Sequence, residues 1–544
     1  MKEGPTKMKS MKKLVTLLLS LVMLCALAMP AIAAETTYSI TINGAKAGHT
    51  YTAYQVFKGA YYKGNRQVKE NEAEYLSDVT WGDGVASDAL LTELKSNETL
   101  KDKFKDAKSA EDVAYVLQTM MDKSAELDEF ARVVGKHLTQ TMAGTTGKLT
   151  AVENVKISNL VAGYYFVKDA GEINDGEIAT KFLVEVVGNA NVTVKAQAPE
   201  FEKKVVSGTA DKGTSVNVGD KVTFQLTAKV PDMASFDKYT FTMHDTLSKG
   251  LTFNKASVKV TVGDAPVTDK NYTLTYPTAN DSKDTFTIAF SETQLKNLVK
   301  HTGGTGEETA FGATIVVTYE ATLNSNALTT DKETNKAYLQ YTNDPSGNGT
   351  GTKKTPEAPV YVYDFDLTVD KFDGTENGTA DVNSKRLKDA TFILYKVEGE
   401  GNNAKKLYYV QDKNNKTVTW TETEADATKF TTDVNGKATF QGIAAGTYYL
   451  RETQAPAGYN SLKEDVKVEI TATYKENGEL ESSSATSTNN GQYIQVQSIA
   501  NKAGAVLPST GGIGTTIFYV LGSILALGAA VLLIVKKRMN GQDR

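Results

Sequence analysis

Residues 365–371 read Phe-Asp-Leu-Thr-Val-Asp-Lys. In an extended strand successive side chains point to opposite faces, so residues two apart share one face. Phe365, Leu367 and Val369 then make an apolar face, and Asp364, Asp366, Thr368 and Asp370 a polar one. Strand-like segments recur over residues 38–42, 51–57, 162–167, 182–187, 192–195, 201–205, 221–226, 239–245, 314–319 and 337–343. Gly, Asn and Asp punctuate them, as in the turn Asp433-Val-Asn-Gly436. Many short strands with regular turn signals predict β-sandwiches. Helical spacing interrupts the pattern in three places. Ser109-Ala-Glu-Asp112 is a helix start, followed by Val113, Val116, Leu117 and Met120. A second amphipathic segment covers residues 127–138, and a short helix is expected over 291–298. The expected fold class is mainly β: tandem immunoglobulin-like sandwiches, the first with a helical insertion.

Both ends carry targeting signals. Lys9, Lys12 and Lys13 precede an apolar core over 14–27, and Ala31-Ile32-Ala33 is a small-residue cleavage site. The sole cysteine, Cys25, lies inside this leader, so the exported chain cannot use disulfides as staples. At the other end an uncharged run over 513–535 exceeds the about 20 residues a membrane helix needs. Lys536-Lys537-Arg538 behind it mark the cytoplasmic side. The expected division is a signal peptide over 1–33, an N-terminal domain over 34–198, and a middle sandwich over 199–355. A C-terminal sandwich over 360–503 and a sorting segment over 507–544 complete it.

Function classes fall away on composition. Net charge is −5 with no basic stripe, so nucleic acid is not an expected partner. The four histidines, His49, His137, His244 and His301, are scattered and no thiol remains. Neither a metal site nor a cofactor site is expected. No phosphate loop or nucleophilic triad supports a turnover enzyme.

Strand alternation puts polar groups on apolar faces. Lys371 shares the face of Phe365, Leu367 and Val369; Glu452 that of Tyr448 and Leu450; Asn501 that of Ile499. The middle domain repeats the order with Lys203 beside Phe201 and Val205, Asp245 beside Phe241 and Met243, and Asn343 beside Leu339 and Tyr341. Burial drives a lysine toward its neutral amine and a carboxylate toward its neutral acid. A neutral amine is a nucleophile. An Asn carbonyl polarised by the acid is its electrophile, and fixing the pair in contact removes up to roughly 7–11 kcal/mol of barrier. The product is a Lys–Asn isopeptide bond with loss of ammonia, a staple that needs no cysteine. One such triplet alone favours an ion pair or hydrogen-bonded network at a strand end, where the Lys or Glu snorkels out; two in the same order favour the bond.

These residues resemble a known family. Leu507-Pro508-Ser509-Thr510-Gly511, the apolar run and the basic tail together resemble the LPXTG sorting signal of Gram-positive surface proteins. Tyr448-Tyr-Leu450-Arg-Glu452-Thr with Ala455-Pro-Ala-Gly-Tyr459 resembles the E-box of Cna protein B-type domains. Phe201-Glu-Lys203-Lys-Val205, His244-Asp245-Thr-Leu247 and Tyr341-Thr-Asn343-Asp-Pro345 resemble the middle domain of sortase-assembled backbone pilins. The resemblance implies a bond Lys371–Asn501 with Glu452 as acid/base, and Lys203–Asn343 with Asp245; Lys204 is the alternative to Lys203. It implies that a sortase cleaves between Thr510 and Gly511 and joins Thr510 to a lysine of the next subunit. Val192-Thr-Val194-Lys195 stands where the family has a Tyr-Pro-Lys motif, which makes Lys195 the acceptor to test, with Lys203 and Lys204 behind it. Tyr165-Phe-Val167-Lys-Asp169 in the first domain is E-box-like with Asp for Glu, and no internal bond is expected there. The resulting reading is a structural backbone subunit of a covalent pilus on the cell wall. Its partners are sortase, further copies of itself, tip and basal pilins, and peptidoglycan. The membrane is met only through the C-terminal helix. The alternative is a wall-anchored adhesin or minor pilin that does not polymerise.

Overall fold

The computed structural model describes residues 36–64, 73–121, 124–194, 198–208, 210–231, 238–263, 265–278, 283–291, 293–295, 312–344, 351–376, 378–381, 383–489, 491–505, 507 and 513–539. Strands dominate, arranged in three successive sets of sheets.

The first set pairs Tyr38–Ala45 with Glu153–Leu160 and Ala190–Thr193. A second sheet runs through Ala73–Trp81, Tyr51–Gly64, Gly163–Asp169 and Lys181–Val186. Alternation, shifted by an irregularity between Gln55 and Phe57, splits its core in two. Tyr51, Ala53, Tyr165 and Val167 face the first sheet, while Val56, Phe57 and Phe166 face the helices. The expected helix start is present: Ser109 caps Ala110–Leu117 with a reciprocal capping box to Asp112. Ala125–Lys136 supplies Phe130, Val133 and Val134 to the same cluster. Two helices, Ser87–Ser96 and Lys101–Phe104, were not expected; Leu90, Leu94 and Phe104 bury against the others. The helix expected over 291–298 falls largely outside the described residues.

The middle set is a sandwich. One sheet runs Ala265–Val267, Leu251–Val262, Thr314–Leu323, Lys221–Lys229, Phe201–Val205. The other contains Gly213–Ser215, Ala358–Tyr363, Glu333–Thr342, Phe241–Leu247, Phe286–Phe290 and Thr273–Thr275. Thr314–Leu323 is buried at every second residue, Ile315, Val317, Tyr319, Ala321 and Leu323. The strand Ala358–Tyr363 differs from the sequence reading, which gave residue 360 onward to the third domain. It pairs antiparallel with Glu333–Thr342 and delivers Val360 and Val362 to the middle core. Pro359 read as linker; it is tolerated because it lies at the second position of the strand.

The third set packs a sheet of Lys437–Ile443, Phe365–Asp373, Gln492–Asn501 and Ser487–Asn489 on one centred on Thr391–Glu398 and Gly446–Gln454. Phe365–Asp373 pairs in parallel with Gln492–Asn501, Lys371 opposite Ile499 and Asp373 opposite Asn501. The Asp433–Gly436 turn closes with Gly436 N donating to Asp433 O at 2.9 Å. Gly436 has φ +71°, and a Cβ there would stand 2.4 Å from the Lys371 carbonyl, so only glycine lets this turn lie against Lys371.

Adjacent sets touch end to end. Ala179 N donates to Asn343 O at 2.8 Å and Gly176 N to Lys354 O at 2.8 Å. Val218 N donates to Gly442 O at 2.9 Å, and Ala444 N to Asn217 Oδ1 at 3.1 Å. One helix among the described residues, Ile513–Met539, holds a stretch, Thr516–Met539, long and apolar enough to cross a membrane.

Candidate functional site

The third set brings its three sequence-derived residues together. Lys371 and Asn501 come from neighbouring parallel strands, and Glu452 from Gly446–Gln454 in the facing sheet. Lys371 is wholly buried, Asn501 is 1% exposed, and the Glu452 side chain is closed off from solvent. Lys371 Nζ contacts Asn501 Oδ1. Its other partners are Ile499 O at 3.2 Å and Glu452 Oε1 at 3.7 Å. Asn501 Nδ2 donates to both Glu452 oxygens, at 3.0 and 3.1 Å, and to Asn460 O at 3.0 Å. Leu462 N donates to Glu452 Oε2 at 2.9 Å and fixes the carboxylate. Burial pushes the Lys371 amine down to about 8, against the opposing pull of Glu452. The amine therefore sits against the amide carbonyl oxygen, and the acid against the amide nitrogen that would leave.

The middle set contains a second constellation with one change of residue. Lys203, on Phe201–Val205, is wholly buried; Lys204, on the opposite face, is half-buried. Lys203 Nζ donates to Asp245 Oδ2 at 2.5 Å, Tyr319 Oη at 2.7 Å and Asn335 Oδ1 at 2.7 Å. Asn343 is not the partner. It lies eight residues further along, past the end of Glu333–Thr342, where its carbonyl accepts from Ala179 of the first set. At about 3.4 Å per residue the two asparagines are roughly 27 Å apart. Both lie on the core face, since residues 335, 337, 339, 341 and 343 alternate inward. Register decides between them: Phe241–Leu247 runs antiparallel to the strand and sets Asp245 opposite Ala337, Leu247 opposite Asn335. An acid near the end of its own strand thus meets the beginning of its antiparallel neighbour. Sequence reasoning missed Asn335 although it shares Asn343's parity, and missed Tyr319, which alternation marks only as core.

Burial pushes Lys203 down to about 8 and Asp245 upward, each opposed by the other. Burial likewise raises Tyr319 well above its usual value, so its hydroxyl stays protonated. In the first set, Asp169 of the E-box-like segment faces His49 Nδ1 at 2.5 Å. Lys195, Pro508, Ser509, Thr510 and Gly511 lie outside the described residues; Leu507 is exposed. Among the described residues no cluster of His, Cys, Asp and Glu could hold a metal ion.

Tandem β-sandwiches with buried Lys–acid–Asn groups, followed by a helix long and apolar enough to cross a membrane and ending in basic residues, define a protein of modular build. Comparison with known proteins agrees. Residues 218–345 match the family described as Gram-positive pilin backbone subunit 2, Cna-B-like domain. Residues 375–482 match the SpaA prealbumin-like fold domain, and residues 499–541 the LPXTG cell wall anchor motif. The trypsin-resistant surface T6 protein of Streptococcus pyogenes is 23% identical over 438 residues, 67% of this chain and 74% of that protein. The solved T6 backbone pilin of serotype M6 Streptococcus pyogenes superposes with TM-score 0.52 at 17% identity, covering 87% of this chain and all of that one. The full-length major pilin SpaD of Corynebacterium diphtheriae gives 0.46 at 18% identity, over 86% and 98%. The matched segments are those of a Gram-positive pilin backbone subunit with a cell wall anchor, a structural protein of the cell surface.

Proposed function

We propose that this pilin is polymerised covalently and stapled internally by two isopeptide bonds, Lys203–Asn335 and Lys371–Asn501. A sortase would cleave after Thr510 and join it to a lysine of the next subunit, with Lys195 the first acceptor to test. The last subunit passes to peptidoglycan, and the membrane helix is a temporary hold. The observation that carries the internal bonds is the pairing of each buried lysine amine with an asparagine carbonyl and a carboxylate in an apolar core. A lone buried charge would cost several kcal/mol; condensation removes it. Asp245 and Glu452 take a proton from the amine and return one to the departing nitrogen. Intact-protein mass tests it: the mature chain should be lighter than its sequence by two ammonia, and an unshifted mass refutes the bonds. For polymerisation, wall extracts should give a high-mass ladder that Lys195→Ala collapses; a ladder surviving that change excludes Lys195 as the acceptor.

A further inference from the structure

The two constellations do not handle the leaving nitrogen in the same way. In the third set Glu452 contacts Asn501 Nδ2 directly with both oxygens. In the middle set Asn335 Nδ2 donates instead to Tyr319 Oη at 2.8 Å, and Tyr319 Oη donates to Asp245 Oδ2 at 2.7 Å. No hydrogen bond joins Asp245 to Asn335 among the described residues, and Asp245 Oδ1 has no hydrogen-bond partner there. Aspartate is one methylene shorter than glutamate, and the tyrosine hydroxyl fills the gap. Resting on the reading above, we propose that Tyr319 is a catalytic residue of the middle unit, relaying the proton from Asp245 to the departing amide nitrogen of Asn335.

The sequence of events balances. Lys203 gives a proton to Asp245, and its neutral Nζ attacks Asn335 Cγ, forming the N–C bond. The carbonyl π pair moves to Oδ1. Amide conjugation ends at that point, and Nδ2 acquires a basic lone pair that it lacked before. Asp245 then donates its proton to Tyr319 Oη while Tyr319 passes its own proton to Nδ2. Cγ–Nδ2 breaks, the carbonyl re-forms and ammonia departs. Nζ, still carrying one proton too many, loses it to Asp245. The net change is amine plus primary amide giving secondary amide plus ammonia, with Tyr319 regenerated. A phenol held well above its usual pKa by burial suits this, since it moves a proton without resting as an anion. The hydroxyl is also fixed in place: the Tyr319 ring packs edge-on against Phe253 and Phe286.

The test uses Tyr319→Phe in the whole chain, made in a short pulse of cell-free synthesis, with intact mass followed over time. Loss of the second ammonia should slow by roughly 10²–10⁴-fold, the usual worth of general acid–base catalysis, while the first is lost at the wild-type rate. Peptide mapping assigns each loss to Lys203–Asn335 or Lys371–Asn501. Wild-type kinetics in Tyr319→Phe, with Asp245→Ala still blocking the bond, overturns the relay and leaves the crosslink standing. An ammonia lost from the middle unit of Lys203→Ala refutes the crosslink itself. Fluorotyrosine at position 319 preserves packing and covers the case in which Phe disturbs folding. A closure rate that shifts with phenol acidity supports the relay; a rate indifferent to it reduces Tyr319 to packing.

Discussion

The two lysine sites place the same three functions on different parts of a sandwich. In the third set the lysine and asparagine are neighbours in one sheet, and the acid reaches across from the other. In the middle set the acid and asparagine are neighbours in one sheet, and the lysine reaches across. A bond in the third set would lock two parallel strands together; a bond in the middle set would rivet sheet to sheet. The chemistry requires only that amine, carbonyl and acid converge in a dry core. Which strands supply them is free, provided each points inward.

The sharpest way to break this comparison is to remove each asparagine. Asn335→Ala should abolish one ammonia loss and Asn501→Ala the other, whereas Asn343→Ala should abolish neither. Peptide mass mapping reads this, and a middle bond that depends on Asn343 would reverse the assignment.

The thermal consequence is the next largest. The residues proposed to be linked are 132 and 130 positions apart, so the loop-closure terms would be nearly equal, at about 5 kcal/mol each. If closure entropy dominates, Asn335→Ala and Asn501→Ala should each lower the midpoint of their own unit by roughly 10–20 °C. Calorimetry of the two variants resolves this. A clear inequality would assign the difference to native-state geometry, sheet-to-sheet against strand-to-strand.

Gly436→Ala should act on the third set alone. A left-handed residue with a side chain costs about 1–2 kcal/mol, and here the added Cβ also meets the Lys371 carbonyl. Slower closure of Lys371–Asn501 with unchanged closure of Lys203–Asn335 is expected in time-resolved mass spectra. Equal slowing of both would show that the turn does not act through Lys371.

The smallest effect is in pH. In uncrosslinked Asn501→Ala, Lys371 is held at about 8 folded against 10.5 unfolded. The unfolded chain then binds more protons between these values, so stability should rise with pH across that window. Asn335→Ala should show the same rise from Lys203, and in addition a decline as pH climbs above 3.8. That decline follows because Asp245 is raised in the folded state, which holds its proton longer than the unfolded chain. Denaturant titrations over pH distinguish the two profiles.

Much of this arrangement was legible in alternation. Parity alone put Lys371, Glu452, Asn501, Lys203 and Asp245 on inward faces, and the structure buries each lysine with its acid. Parity could not choose between Asn335 and Asn343, because a period of two repeats along the whole strand. That choice rests on antiparallel register, which depends on where hairpins and long connections bring strands together. Tyr319 was hidden for a related reason. An inward tyrosine on a strand reads as packing, and only the partners of its hydroxyl reveal more. Lys101–Phe104 was lost because four residues are too few for helical spacing to stand out, and Ser87–Ser96 because it lacks the side-chain cap that marks Ser109; tertiary burial of Leu90, Leu94 and Phe104 does the stabilising.

The strand Ala358–Tyr363 has a consequence for a subunit pulled by its two ends. Load enters the middle set at Phe201–Val205 and leaves after Tyr363. A covalent link from Lys203 to Asn335 would carry it past nearly the whole sandwich, but the described residues between 336 and 363 lie downstream of the link and are held without a covalent tie, by strand pairing and by burial of Val360 and Val362. The third set has no such tail, because Asn501 ends its final strand. A stapled subunit would therefore be a rigid rod with one compliant segment between its middle and C-terminal units, able to lengthen and re-form without any covalent bond opening. Single-molecule stretching should show one short, reversible extension per subunit, and none if residues 336–363 hold as firmly as the rest.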